Sequence, residues 1–181
     1  MLLFIICFAS IAIGIWMGYF TRNASTTMEF FRWSEKRVMR VWLYLFIGGM
    51  LLTYALSQGT VFQLNNPLIP EDSADHFRDW RSMFEFSLAF FFLPLLVLAN
   101  IYSLATKRIN FFLYGFTFLY AAIFSYKNLQ NLNEFFYRWE SHFGLWKGAF
   151  PINTSAVWFH VAVYAFLCIF NLVFIWWGLR K

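Results

Sequence analysis

Charged residues are scarce in this 181-residue sequence, which contains 13% Asp, Glu, Lys and Arg against 61% apolar residues. A soluble domain of this size cannot enclose that proportion of apolar side chains in one core, so the composition excludes a soluble globular protein. Proline is also rare, at four residues, and 24% of the chain is aromatic. These proportions exclude a disordered tail and a fibrous protein, and they predict an integral membrane protein.

Catalytic and redox motifs are also missing from the sequence. Its two cysteines, Cys7 and Cys168, lie in apolar segments, and we interpret them as small buried side chains rather than as a disulfide. No GxSxG, Walker A or HExxH motif occurs, and no pair of carboxylates lies within an apolar segment. We therefore predict no catalytic centre, cofactor or metal site. Because the basic residues lie beside apolar segments and most aromatics lie within them, nucleic-acid binding is not expected either.

Five apolar segments are long enough, or nearly so, to cross a bilayer as helices. A spanning helix needs about 20 residues to cross a hydrocarbon core of about 30 Å. The first segment lacks a basic residue before its apolar run, and that run is too long for a typical signal peptide, so we expect a permanent span. We predict an all-α, polytopic bundle forming a single transmembrane domain, with spans at residues 2–20, 41–58, 83–105, 111–126 and 156–178. The alternative is four spans, with residues 111–126 only partly inserted.

The segment after the fourth span has the periodicity of an amphipathic helix. Leu129, Leu132, Phe136 and Trp139 recur at intervals of three or four residues, and polar residues occupy the other faces. This pattern predicts an amphipathic helix on the outer membrane surface. The alternative is a plain extension of the fourth span.

The distribution of positive charge predicts the orientation of the chain. Nine of the 14 Lys and Arg residues lie in the first and third connections and the C-terminal tail. Positively charged connections stay on the cytoplasmic or matrix side, so we predict an outer N-terminus and an inner C-terminus, in a bacterial cytoplasmic or mitochondrial inner membrane. The residues expected to contact phospholipid headgroups are Arg32, Trp33, Lys36, Arg37, Arg40, Lys107 and Arg108.

Small residues recur at four-residue spacing in the first two predicted spans. In lipid, helices associate through close backbone approach rather than through hydrophobic burial, so such stripes are candidate contact faces. Their chance occurrence in an apolar helix is the alternative. The two stripes are Ser10, Gly14 and Gly18 in the first span, and Gly49, Thr53 and Ser57 in the second.

Polar residues within the spans are few, and each is a candidate functional group. Glu85 is placed to bind a proton or cation, although we favour an interfacial ion pair with Arg81, one helical turn earlier. Asn100 and Asn171 are the deepest polar residues in their spans. We expect them to form hydrogen bonds between helices, each contributing on the order of 1 kcal/mol.

His160 is the weak candidate for a cofactor ligand, about one turn into the fifth span. It would hold haem or contact a quinone, but a bis-histidine haem needs a second histidine within a span. The other two histidines, His76 and His142, fall in predicted connections.

Together these features predict a non-catalytic scaffold subunit of a larger, energy-converting membrane complex, with phospholipids and other integral membrane subunits as partners. A first alternative is a small channel or transporter in which Glu85, Asn100, His160 and Asn171 line an aqueous path. A second is a haem- or quinone-binding subunit that uses His160. A channel or transporter would carry a flux that changes when the residues lining its path are replaced. A haem-binding subunit would absorb visible light.

Overall fold

The computed structural model describes residues 2–23, 34–64, 73–143 and 154–180. These residues form five α-helices and no strand, which confirms the predicted all-α class. Each of the five predicted spans lies within one of the helices, in the predicted order. The helices are α1 (Leu2–Asn23), α2 (Glu35–Leu64), α3 (Ser73–Thr106), α4 (Phe111–Phe143) and α5 (Thr154–Leu179).

Within the part of the chain that the structure describes, four helices contain a segment that is long and apolar enough to cross a membrane, as a helical membrane bundle requires. These segments are Leu3–Asn23, Glu35–Leu56, Phe86–Thr106 and Trp158–Leu179. In α4, the apolar beginning and the segment predicted to be an amphipathic surface helix belong to one helix that extends to Phe143. The reason is local, since neither glycine nor proline occurs between Phe116 and Phe143 to end it.

The third helix forms the centre of the bundle. It packs against all four other helices, and 61% of its apolar segment is buried, compared with 22–28% in the other three spanning segments. Phe92, Leu95 and Ala99 are completely buried. Phe92 meets the ring of Tyr164 on α5 edge to face, with 4.8 Å between the ring centroids. Bulky side chains on α3 therefore fill the space between its neighbours.

Proline does not end the third helix, although Pro94 lies within it. Proline has no N–H and its ring crowds the preceding turn, so the helix is locally weakened at this point. The indole Nε1 of Trp42 on α2 donates a hydrogen bond to the carbonyl of the adjacent Leu95, at 3.1 Å. Trp42 also stacks on Phe46, with 5.2 Å between their ring centroids. The hydrogen bond from Trp42 to Leu95 joins α2 to α3 beside the proline.

The helices α1 and α5 run parallel and approach so closely that two glycines meet. A Cβ atom on Gly18 would lie 2.6 Å from the carbonyl oxygen of Phe174, and one on Gly178 would lie 2.7 Å from the carbonyl oxygen of Gly18. Both distances are too short for a real side chain. The predicted stripe of the first span therefore faces α5, while its partner residue Gly178 was not among the predicted contact residues.

In the predicted stripe of the second span, Gly49 faces α3. A Cβ atom on Gly49 would lie 3.0 Å from the ring of Phe91, and the hydroxyl of buried Thr53 donates to the carbonyl of Gly49 at 2.5 Å. The side chain of Ser57 lies outside the described residues. Gly49 thus lets an aromatic side chain of α3 approach the backbone of α2.

Candidate functional site

Two asparagines meet in the centre of the bundle. The Nδ2 of Asn100 on α3 donates to the Oδ1 of Asn171 on α5 at 2.9 Å, and both side chains are completely buried. The Nδ2 of Asn171 donates in turn to the backbone carbonyls of Ser10 at 3.1 Å and Leu167 at 3.0 Å. An asparagine amide has two N–H donors, so those of Asn171 are both in use.

A tyrosine completes this network, and a methionine lies beside it. The hydroxyl of Tyr114 on α4 donates to the Oδ1 of Asn100 at 2.7 Å. The Sδ of Met17 on α1 lies 3.8 Å from the Nδ2 of Asn100. The polar network, which we define as Asn100, Asn171, Tyr114 and the carbonyl of Ser10, therefore joins α1, α3, α4 and α5. Its amide groups bond to protein atoms, as expected of groups that stabilise helix contacts in lipid.

His160 and Glu85, the other two polar residues predicted to line an aqueous path in a channel, lie far from this network. His160 precedes Asn171 by 11 residues, which corresponds to about 16 Å along α5. It is half-buried, and its ring meets Phe159 edge to face. Glu85 precedes Asn100 by 15 residues, or about 22 Å along α3, and its side chain lies outside the described residues. The structure therefore brings the two asparagines together but does not join all four residues in one site.

Neither thiol forms a disulfide in the structure. Cys7 is half-buried and Cys168 is buried, and both are free. Within the described part of the chain, no three His, Cys, Asp or Glu side chains are grouped closely enough to hold a metal ion.

Positive charge collects at one end of the bundle, where α1, α3 and α5 end and α2 and α4 begin. Two of its arginines stack on tryptophans of α5: the Cζ of Arg22 lies 4.4 Å from the ring centroid of Trp177, and that of Arg180 lies 3.5 Å from Trp176. Arg32 and Trp33 lie outside the described residues. The predicted headgroup residues that the structure describes all lie at this basic end: Lys36, Arg37, Arg40, Lys107 and Arg108.

A glutamate that was not singled out from the sequence lies at the basic end. The hydroxyl of Tyr102 near the end of α3 donates to the Oε1 of Glu35 in the first turn of α2, at 2.6 Å. The only available signal in the sequence was one acidic residue next to three basic ones. The pair separates two surface recesses of about 550 and 540 Å³. The first is lined further by Lys36, Met39 and Arg40, and the second by Thr106 and residues 108–112.

The turn between α3 and α4 is short and tightly bonded. Lys107 adopts a left-handed conformation with φ of 53°, which reverses the chain immediately after α3. The Oδ1 of Asn110 accepts a hydrogen bond from the backbone N–H of Phe112 at 3.1 Å, and so caps the start of α4. This turn holds the beginning of α4 beside Tyr102.

Replacement of Tyr102 by phenylalanine is expected to lower the free energy of unfolding by about 1 kcal/mol. The variant keeps the ring but removes the donor to a carboxylate, and because this carboxylate is exposed to solvent the loss is smaller than the roughly 1.5–3 kcal/mol of a bond to a charged group. Chemical unfolding in detergent micelles, followed by circular dichroism, measures the change. Tyr44→Phe is the matched control, since Tyr44 is 69% exposed; equal losses in both variants would contradict a stabilising role of the bond.

No protein-family model matches the chain, and no curated protein or solved structure matches it. The features of the chain that bear on its function are the polar network and the basic end.

Proposed function

We propose that the chain is a non-catalytic integral membrane subunit that acts as a helical scaffold in a larger membrane complex. The main support for the proposal is that the deepest polar side chains form hydrogen bonds with one another. Asn100, Asn171 and Tyr114 are buried and bond to one another across helices. A channel or transporter needs polar groups that contact the permeating species along its path. A scaffold needs them only to hold its own helices together.

The outward face of α1 supports contact with a helix of another integral membrane subunit. Within the described residues, α1 packs only against α3 and α5, so its opposite face is left for lipid or protein. Trp16 and Phe20 stack on this side, with 5.8 Å between their ring centroids. Large rings provide extensive van der Waals contact, which drives helix association in lipid. The exposed large residues of α1 are Phe4, Ile5, Phe8, Ile15, Trp16, Tyr19 and Phe20.

The proposed location is a bacterial cytoplasmic membrane or a mitochondrial inner membrane, with the basic end inside. The clustering of Lys36, Arg40, Lys107 and Arg108 supports this orientation, because positively charged connections are retained on the cytoplasmic or matrix side. The N-terminus of α1 then lies outside and the end of α5 inside.

Isolation of the tagged chain in a mild detergent tests the scaffold. We expect other membrane subunits to accompany it in a fixed molar ratio, measured by native mass spectrometry. The double variant Phe8→Leu with Trp16→Leu should lose these subunits while the chain itself stays folded, because it removes ring surface at two exposed positions. The matched control is Phe86→Leu with Phe90→Leu, which changes two exposed rings on α3. Isolation of the wild-type chain without companions, or equal retention by both variants, would overturn the proposal.

Vesicle reconstitution tests the competing functions on the same preparation. A scaffold should carry no flux of protons, potassium or chloride above that of empty vesicles. A flux that falls in both Asn100→Leu and His160→Leu would favour a channel instead. A visible absorption band in the purified protein would favour a haem-binding subunit.

A further inference from the structure

One face of α2 combines positive charge with a long apolar stripe. Lys36 and Arg40 are exposed one turn apart, and the same face continues through Leu43, Ile47 and Leu51, which are 44%, 47% and 66% exposed. From Arg40 to Leu51 the helix rises about 16 Å, close to half of a hydrocarbon core of about 30 Å. This face, the α2 stripe, therefore has cations at one end and apolar side chains over the depth of one leaflet.

The cationic end of the α2 stripe borders a recess of about 550 Å³. Lys36 and Arg40 lie on one side of it, and Glu35, Met39 and Tyr102 complete its lining. The Nε of Arg40 donates to the carbonyl of Lys36 at 3.3 Å, which keeps the guanidinium over the first turns of the helix. Glu35 is a carboxylate at the same recess, but it already accepts a bond from Tyr102. Two cations and one carboxylate leave the lining with an excess of positive charge.

We propose that the α2 stripe binds one anionic phospholipid, with the phosphate at Lys36 and Arg40 and an acyl chain along Leu43, Ile47 and Leu51. Charge complementarity identifies the ligand, because Lys and Arg at headgroup depth attract anionic lipids. The apolar length distinguishes a lipid from free phosphate, which would use only the recess. The second recess is a poorer match, since Arg108 there is balanced by Glu35. The site lies on α2 and is independent of the partner contact proposed for α1.

Binding is tested with the purified full-length chain in a neutral detergent. Dioleoyl phosphatidylglycerol is titrated and adducts are counted by native mass spectrometry, with dioleoyl phosphatidylcholine as the uncharged comparison. We expect one tightly held phosphatidylglycerol. The double variant Lys36→Gln with Arg40→Gln should weaken its binding about 25-fold, the product of about fivefold for each cation near a membrane surface. Both side chains are exposed, so the variant should unfold at the same denaturant concentration as the wild type.

The matched control is Lys107→Gln with Arg108→Gln, which removes the same charge at the same end of the bundle. An equal loss of binding in both double variants would mean general surface attraction and would overturn the site. Full competition by glycerol phosphate, or equal affinity for dihexanoyl and dioleoyl phosphatidylglycerol, would overturn the acyl-chain contact. Loss of a companion subunit from the Lys36 and Arg40 variant would assign the α2 stripe to protein instead. Should the double variant unfold, Arg40→Gln alone is expected to weaken binding about fivefold.

Discussion

Replacing Gly18 with alanine is expected to lower the free energy of unfolding by about 1–3 kcal/mol, the usual cost of overpacking a tight interior contact. The new methyl group would lie 2.6 Å from the carbonyl oxygen of Phe174, which is a backbone atom and cannot rotate away as a side chain can. The helices α1 and α5 must then separate, and the opposing approach of Gly178 to Gly18 is lost as well. Denaturant titration in micelles, followed by circular dichroism, measures the loss.

Two other glycines provide matched controls for this substitution. A Cβ atom on Gly48 or Gly115 would meet no atom within 4 Å. Alanine is favoured over glycine within a helix by roughly 0.5–1 kcal/mol, so Gly48→Ala and Gly115→Ala should leave stability unchanged or raise it slightly. If Gly18→Ala behaved like these controls, the close packing of α1 on α5 would not describe the folded protein.

Replacing Asn171 with leucine is expected to destabilise the bundle by about 2 kcal/mol. The substitution keeps the branching of the side chain at Cγ but removes the two bonds to the carbonyls of Ser10 and Leu167, and it leaves the Nδ2 of buried Asn100 without its amide partner. A buried donor left unpaired costs about 1–3 kcal/mol, and interhelical bonds in membranes contribute about 1 kcal/mol each. The same unfolding titration measures the effect, and Val173→Leu on the exposed face of α5 serves as the control.

A double-mutant cycle tests whether the two asparagines act together. Asn100→Leu combined with Asn171→Leu should cost less than the sum of the two single substitutions, because the second change no longer leaves an unpaired amide. Strictly additive losses would show that the 2.9 Å contact contributes no coupling. Both single variants should also show no gain of vesicle flux, since the polar network holds helices together in the proposed scaffold.

Several features of the site were accessible from sequence because they depend on local composition. Asn100 and Asn171 stand out as polar residues in long apolar runs, and their depth alone predicts that they bond between helices. The four-residue spacing of Gly14 and Gly18 identifies a face on which a helix can approach closely. Neither pattern identifies the partner. Asn171 bonds to a carbonyl 161 positions away, and Gly178 opposes Gly18 although it belongs to no stripe of its own.

Local sequence patterns were less informative about the partner of a charged residue and about the position of a helix end. Glu35 was not singled out, because nothing near it in the sequence indicates that it bonds to Tyr102, which is 67 positions away. The periodicity after Tyr126 predicted a helix, and the chain is helical as far as Phe143, but the pattern left open whether this helix is separate from the preceding apolar segment or extends it, as it does in α4. An amphipathic pattern describes the faces of a helix and carries no signal for where that helix begins.

The sequence by itself determined the helical class, the membrane environment and the order of the apolar segments, because a bilayer imposes a minimum apolar length and internal backbone hydrogen bonds on every span. Only the tertiary structure decided that α3 lies at the centre, that α1 and α5 meet through glycines, and that Glu35 and Tyr102 separate two recesses. The physical reason is that helix association in lipid depends on shape and on individual hydrogen bonds between residues far apart in the chain. Hydrophobicity places a helix in the membrane but does not select the neighbour against which it packs.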